Sequence, residues 1–139
     1  MNLQIVTLQP EHADIVPYLR KADLDEIHAM TGLSPAMAVA YSIAQTERGF
    51  AAILNGRTCA VFGVSQGVIW LVGSDEITKH PVTFYRVSRK IFPMLKKGYS
   101  KLVNYIDPRN YLSIRWLKWL GFRIEEVAGG FFYACYEGE

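Results

Sequence analysis

Apolar and polar residues alternate along this chain in a pattern that predicts strands and helices in turn. Residues 3–7 have the period of a short first strand. Pro10 opens a helical stretch that Pro17 should end or kink, and helical spacing then continues as far as Gly32. A cap-plus-proline pair at 34–35 predicts the next helix. The N-terminal third therefore predicts strand, helix, helix.

The middle of the chain predicts an antiparallel meander. Two apolar segments, 50–54 and 58–64, flank Asn55-Gly56, a strong hairpin signal because both residues accept positive φ. A second turn at 65–67 leads into 68–72, a continuous apolar segment typical of a strand that is covered on both faces.

A long amphipathic helix should follow from Pro81. Pro93 should kink this helix and Gly98 should end it. Its predicted inward residues are Phe84, Val87, Ser88, Ile91, Phe92 and Leu95. The opposite side is basic, with Arg86, Arg89, Lys90, Lys96 and Lys97. This basic side is compatible with a solvated surface, with a site for cofactor phosphates, or with a contact to nucleic acid.

The segment 102–122 predicts a buried strand followed by a helix. Asp107 should cap that helix, with proline at its first position, and Gly121 should end it in a left-handed conformation. Ser113 is a small residue within the apolar side, so another group can approach the backbone there. The predicted apolar face consists of Leu112, Trp116, Trp119 and Leu120.

Two last strands, 123–127 and 131–136, should pair around Gly129-Gly130. The predicted order is then β-α-α-β-β-β-α-β-α-β-β, which is an α/β (α+β) arrangement.

Composition narrows the function classes. A chain of 139 residues predicts one domain over 1–139, and its formal charge of +2 does not favour nucleic acid. We find no apolar segment of the ~20 residues that a membrane helix needs, and no secretory signal. Cys59 and Cys135 lie in apolar segments, which predicts two buried thiols rather than a disulfide or a metal site.

Several short motifs resemble those of known families. Asn110, Ser113, Ile114 and then Leu120-Gly121-Phe122 look like the Asn-x-x-Ala/Ser-Ile…Leu-Gly-Phe pattern late in the GNAT N-acyltransferases. The chain from about 18 to 123 resembles more closely the podophage internal virion protein A family, which is related to GNATs. The segments that carry this second resemblance are Arg20-Lys21-Ala22-Asp23…Glu26, Phe62-Gly63-Val64, Trp70-Leu71-Val72-Gly73, Ser88-Arg89 and 114–122. Both resemblances imply a single GNAT-like domain with a mixed central sheet.

The GNAT resemblance implies acetyl-coenzyme A as cofactor. In that family a Gly-rich turn after the fourth strand binds the pyrophosphate through backbone N–H groups. The corresponding turn here, 73–81, lacks the Arg/Gln-x-x-Gly-x-Gly/Ala pattern, so it is either a divergent cofactor site or an ordinary loop. The predicted cofactor-binding residues are Leu71, Val72, Gly73, Ser74, Lys79, Asn110 and Ser113. Leu71, Val72 and Gly73 should offer free backbone groups to the pantetheine arm.

Catalytic residues are harder to assign. In many GNATs a tyrosine seven positions after the asparagine that matches Asn110 acts as the general acid and protonates the departing thiolate. Leu117 occupies that position here and can donate no proton. Asp23, Asp25, Glu26 and His28 are candidate bases, and we select Glu26. An acidic helical turn is also typical of a solvated face or an ion-pair network.

Two functions therefore stay open. One is a GNAT-type, acyl-coenzyme A-dependent N-acyltransferase acting on an amine. The other is a non-catalytic internal virion or assembly protein of a podophage, whose partners are other virion proteins. The expected location is the host cytoplasm or the packaged virion.

Overall fold

The elements of the chain surround one sheet in a mixed α/β arrangement. The structure, a computed structural model, describes residues 3–127 and 129–138. The predicted order of strands and helices is confirmed, with a 3-10 helical segment and a one-turn helix added to it. The elements are β1 (Leu3–Thr7), the 3-10 segment (Pro10–Tyr18), α1 (Lys21–Thr31), α2 (Pro35–Gln45), β2 (Arg48–Leu54), β3 (Arg57–Ser65), β4 (Val68–Gly73), α3 (Asp75–Thr78), α4 (Pro81–Leu95), β5 (Lys101–Ile106), α5 (Tyr111–Leu120), β6 (Arg123–Glu126) and β7 (Phe132–Glu137).

The sheet has seven strands among the described residues, in the order β1-β2-β3-β4-β5-β7-β6. Every neighbouring pair is antiparallel except β4 and β5, which run parallel. A parallel pair needs a long crossover, and α3 with α4 supplies it. The predicted mixed sheet is confirmed.

Both predicted turns of the meander adopt the conformation that joins twisted strands tightly. Asn55 and Gly56 have φ of 51° and 81°, and Gln66 and Gly67 have φ of 50° and 80°. Positive φ at both central residues is the mark of a type I′ turn. β2, β3 and β4 therefore follow one another as hairpins, which fixes their register.

Helices cover both faces of the sheet at β3. On one face, Phe62 packs against Trp116 of α5 at 5.6 Å between ring centroids, and Trp116 stacks on Phe84 of α4 at 6.2 Å. On the other face, Val61 packs with Ile15 of the 3-10 segment. Successive strand residues point to opposite faces, so a strand covered on both sides must be apolar throughout.

The first helical stretch is interrupted after Pro17, as predicted. The 3-10 segment ends at Tyr18, and Leu19 and Arg20 are extended before α1 begins. The Arg20 N–H donates to the Gly73 carbonyl at 3.0 Å, so this interruption adds a short pairing to the end of β4.

Helix α4 runs through Pro93 and ends at Leu95, before Gly98, so the predicted end of this helix is wrong. Pro93 cannot donate to the carbonyl four residues earlier, at Arg89. Both residues are exposed, so water can bond that carbonyl and the helix continues for another half turn. The basic residues of α4 lie mainly on its exposed side, as predicted.

Helix α5 begins later than predicted. Asn110 caps it by accepting from the Ser113 N–H at 3.4 Å. The prediction that Asp107 caps this helix is therefore wrong. The Asp107 carboxylate instead accepts from the Arg109 N–H at 2.9 Å and forms an ion pair with the Arg109 guanidinium at 2.6 Å.

The end of α5 is as predicted. Gly121 has φ of +102°, and the Phe122 N–H donates to the Leu117 carbonyl, which are the features of a Schellman motif. The predicted inward position of Trp119 is wrong, because this side chain is 41% exposed. Leu117 occupies the buried position instead, with 1% of its surface exposed.

Cys59 and Cys135 are both buried, as predicted. They lie in β3 and β7, which are separated by β4 and β5 in the sheet. Three strand spacings amount to about 14 Å. Disulfide formation needs Cα atoms within about 7 Å, so this pair is too far apart. Within the described ranges, the helices are too short or too polar to cross a membrane.

Candidate functional site

The two parallel strands β4 and β5 separate soon after they meet. They pair at Val68 and Val103, where the Val103 N–H donates to the Gly67 carbonyl at 2.9 Å. Two residues further along β5, the Tyr105 N–H bonds the side chain of Asn104 at 2.8 Å instead of a carbonyl of β4. A wedge therefore opens between the two strands.

Leu71 is the β4 residue whose backbone faces this wedge. The Ser74 N–H bonds the Cys59 carbonyl of β3, and hydrogen bonding alternates along an antiparallel pair. Val72 therefore directs its N–H and carbonyl to β3, while Leu71 directs both to the wedge. In the described part of the chain, β5 pairs with β4 at Val68 alone and not at Leu71.

A cavity of about 140 Å³ lies in the wedge. Its walls come from α1, α2, β4, β5 and α5. Most of the lining side chains are apolar, and Glu26 is the charged one among the described residues that form it. The lining residues are Glu26, Ile27, Met30, Thr31, Ser42, Trp70, Leu71, Val72, Asn104, Ser113, Trp116 and Leu117.

Glu26 enters the cavity from α1. Its Oε2 accepts from the Asp107 N–H at 2.7 Å. Burial raises the pKa of Glu26 from an ordinary 4.5 to about 7, and the carboxylates of Asp23 and Asp107 add to the rise, whereas the bond from the Asp107 N–H opposes it. A carboxylate in this state can exchange a proton near neutral pH.

Two residues of α5 that line the cavity carry a buried polar group without a partner in the described part of the chain. The Ser113 hydroxyl and the Trp116 indole N–H are both buried, and neither has a hydrogen-bond partner within the described residues. Buried polar groups are nearly always satisfied. Both atoms are enclosed by protein, so a ligand in the cavity would reach them only after neighbouring side chains move.

A buried network of polar side chains lies beside the cavity. Arg20 makes a two-pronged ion pair with Asp23, with Nε–Oδ2 and Nη2–Oδ1 distances of 3.0 and 2.8 Å. Asn110 accepts from Arg20 Nη2 and donates to Asp23 Oδ1, both at 3.0 Å. Asp23 Oδ2 also accepts from the Gly73 N–H at 2.8 Å. The network joins the start of α1, the end of β4 and the start of α5.

This network changes what the predicted cofactor residues can do. The Gly73 N–H is bonded to Asp23 and its carbonyl to the Arg20 N–H, so its backbone groups are not free. The backbone of Val72 faces β3, as described above. Of the three predicted strand residues, Leu71 alone presents free backbone groups to the wedge.

The predicted site residues lie in three different parts of the structure. Glu26, Leu71, Val72 and Ser113 line the cavity together. Asn110 belongs to the buried network, where its side chain is fully enclosed. Ser74 and Lys79 lie away from the cavity. Ser74 bonds the Cys59 carbonyl, and Lys79 is exposed and paired with Glu76 at 3.0 Å.

The other candidate bases lie outside the cavity. Asp25 is bonded to Lys21 at 2.8 Å, which holds the pKa of this carboxyl below its usual range. Asp23 is committed to the buried network, and His28 is exposed.

A separate pocket lined by arginines, of about 290 Å³, lies at the N-terminal ends of α4 and α5. Arg20, Arg109 and Arg115 contribute to its lining, together with Pro81 and Tyr111. Arg115 takes part in none of the ion pairs found within the described residues. Arg20 is paired with Asp23, and Arg109 with Asp107. Arg115 is therefore the arginine here that can neutralise an added anion, and a position at helix N-termini suits a phosphate group.

Sequence analysis grouped only part of this site. The prediction that Trp116 is a core residue is confirmed, and the same residue also lines the cavity. Asp23 was predicted as a candidate base, whereas Arg20 entered only through a family motif. Their spacing of three residues, with Arg20 directly before α1, was the signal for an ion pair. Arg109 and Arg115 share their pocket with residues of α4 that lie more distantly in sequence, so no local pattern could predict that these residues meet.

Comparison with solved structures identifies the fold. The chain superposes on a PaiA N-acetyltransferase from Thermoplasma acidophilum in complex with coenzyme A, with a TM-score of 0.66 and 13% identity over 99% of each chain. A GNAT-family acetyltransferase from Streptococcus pneumoniae matches with a TM-score of 0.62 and 13% identity over 99% of this chain and 100% of that one. The fold is that of the GNAT acetyltransferases.

A third structure extends the comparison. The aminoglycoside acetyltransferase AAC(6')-Ib in complex with ribostamycin and coenzyme A has a TM-score of 0.62 and 15% identity, over 99% of this chain and 94% of that one. No family model matches this chain, and no curated protein does. The resemblance to the podophage family and the extent of the domain over 1–139 stay predictions.

Proposed function

We propose that this protein is an acyl-coenzyme A-dependent N-acyltransferase acting on an amine. The observation that carries the proposal is the cavity between β4 and β5, which Glu26 lines together with Leu71 and Ser113. Solved structures with this fold contain coenzyme A, which supports the same proposal.

Residues of the wedge and of the arginine-lined pocket fit different parts of the acyl donor. The Leu71 backbone offers a donor and an acceptor to the amide groups of a pantetheine arm. Arg115, which takes part in no ion pair among the described residues, offers positive charge to the phosphates, and Arg109 lines the same pocket while paired with Asp107. Between them, Asp23 and Arg20 occupy the backbone of Gly73, so the arm has one strand residue to pair with rather than three. When bound, acyl-coenzyme A would supply the acyl group as a thioester.

The chain supplies a base and hydrogen-bond donors. A pKa near 7 lets Glu26 take a proton from an ammonium group at neutral pH and so free the attacking lone pair. Ser113 and Trp116 line the same cavity and carry hydrogen-bond donors for an oxygen that gains negative charge. Leu117 cannot protonate a leaving group, which leaves Ser113 as the hydroxyl on α5 that lines the cavity.

Calorimetry with acetyl-coenzyme A tests the proposal. We expect micromolar binding by the parent protein and none by Ser113→Trp, whose side chain would fill the cavity. Melting temperatures must accompany the titration, because overpacking costs about 1–3 kcal/mol. If the folded parent protein shows no binding, the proposal is wrong.

A matched pair of serines separates the cavity from general burial. Ser88 in α4 also has a buried hydroxyl without a partner among the described residues, but it does not line the cavity. Ser113→Ala should weaken coenzyme binding or turnover, whereas Ser88→Ala should leave both unchanged. Equal effects of the two substitutions would remove Ser113 from the proposed site.

A non-catalytic role is the second candidate, and two observations favour it. Leu117 is buried at the position where many GNATs carry the acid. The Arg20–Asp23 pair closes the strand edge at Gly73. An internal virion or assembly protein of a podophage would need neither a general acid at this position nor a free strand edge for a cofactor. The absence of coenzyme binding, together with recovery of the protein in purified phage particles, would favour this candidate.

A further inference from the structure

A second cavity, of about 110 Å³, adjoins the cavity that contains Glu26. The two share Ile27, Thr31 and Trp70 among their walls, so they lie side by side under α1 and α2. The second cavity adds Leu33 and Val39 to the lining, and every residue it adds is apolar or aromatic.

An exposed apolar surface lies beside these cavities, and Met30, Leu33 and Tyr41 of this surface also line them. Met30, Leu33, Met37 and Tyr41 lie on α1, on α2 and in the loop between them. Their exposed fractions are 41%, 40%, 61% and 64%. Apolar side chains that cluster at the mouth of a cavity are typical of a binding surface.

Charge in the two cavities is limited to one group. Among the described residues that line them, Glu26 is the single carboxylate, and no lysine or arginine is present. A cation placed beside Glu26 would have a counter-ion. A second cation would lie further along, among Leu33, Val39 and Trp70. It would lose its hydration there without gaining a counter-ion, which costs free energy.

We propose that the acceptor is an amine with one cationic nitrogen on an apolar body, aromatic or aliphatic. The nitrogen lies beside Glu26, and the body lies in the second cavity under α1 and α2. This assignment rests on the proposed acyltransferase function for its chemistry, but the binding it describes does not need the coenzyme.

The test compares 2-phenylethylamine with spermidine, which carries several positive charges. Calorimetry at fixed ionic strength, with and without coenzyme A, should show 2-phenylethylamine binding at least tenfold more tightly. Glu26→Gln should weaken that binding at least tenfold. Equal or tighter binding of spermidine, or binding of neither amine under both conditions, would overturn the assignment.

A designed second carboxylate sharpens the test. Leu33→Asp should lower affinity for 2-phenylethylamine and raise affinity for spermidine. Met94→Asp is the control, since Met94 is similarly exposed, at 53%, but lies on α4 and lines neither cavity. Equal shifts in both variants would show a general charge effect and overturn the assignment.

Failure of this inference can be told apart from failure of the acyltransferase proposal. If acetyl-coenzyme A does not bind but 2-phenylethylamine does, the acyltransferase proposal is wrong and the amine site stands. If acetyl-coenzyme A binds and spermidine is the preferred acceptor in initial-rate assays, the proposed function stands and the acceptor class assigned here is wrong.

Discussion

Replacement of Asn110 by alanine should destabilise the protein far more than the loss of a helix cap. Asn110 caps α5, and its side chain also bonds the charged groups of Arg20 and Asp23, with no exposed surface of its own. Loss of a cap costs about 1 kcal/mol. Each lost hydrogen bond to a buried charged group costs about 1.5–3 kcal/mol. Because contributions within one network are not additive, we expect a total of about 3–5 kcal/mol.

Ser34→Ala is the matched control. Ser34 caps α2 by accepting from the Met37 N–H at 3.2 Å, and it lies on the surface outside any buried network. Its replacement should cost about 1 kcal/mol. With a urea m-value of about 1.5 kcal/mol/M, the midpoint should fall by about 2–3 M for Asn110→Ala and by about 0.7 M for Ser34→Ala. Equal midpoints for the two variants, at unchanged m-values, would refute the role of the network.

Three further predictions concern the helix end, the buried carboxylate and the thiols. Gly121→Ala should lower stability by about 1 kcal/mol in thermal melts, since alanine disfavours φ of +102°; an unchanged melting temperature would contradict this helix end. The folded pKa of Glu26, about 7, lies above the unfolded value, so ionisation of Glu26 destabilises the fold as pH rises from about 4.5 to 7. Glu26→Gln should therefore gain stability relative to the parent as urea melts move from pH 5 to pH 8, and parallel profiles would argue against the shift. Burial raises the pKa of Cys59 to about 11, and the Cys135 side chain is also buried, so both thiols should react with iodoacetamide only after unfolding. An intramolecular disulfide in the native intact mass would be inconsistent with the sheet order.

Local signals were sufficient for most of the fold. Asn55-Gly56 determines a tight turn through the φ values that these two residues accept, and Gly121 ends α5 for the same reason. Such signals depend on a few adjacent residues, so they can be interpreted without knowing what lies across the chain.

The errors came where tertiary contacts decide between two local options. Asp107 and Asn110 are both good caps, and Asn110 caps α5 while Asp107 pairs with Arg109. Trp119 and Leu117 both fit a helical face, but the packing of α5 against the sheet buries Leu117. Pattern alone cannot rank such pairs.

The candidate site depended still more on distant contacts. Glu26, the predicted base, lines the cavity, but its neighbour Asp107 is far away in sequence. The Arg20–Asp23–Asn110 network joins the start of α1 to the start of α5. A single sequence contains no signal that these distant residues contact one another. The bond from the Gly73 N–H to Asp23 was therefore not predicted, and Gly73 was expected to have free backbone groups.

In the described ranges β4 and β5 share one bridge, and this also affects how the protein should unfold. It divides the sheet into two antiparallel blocks, each made from continuous chain, residues 3–73 and 101–137. Each block satisfies most of its backbone hydrogen bonds internally, so native-state amide exchange should show two cooperative units with different opening free energies. A chain cut within 97–100 should give two fragments that reassociate, because the packing of Trp116 against Phe62 and Phe84 would remain available to join them.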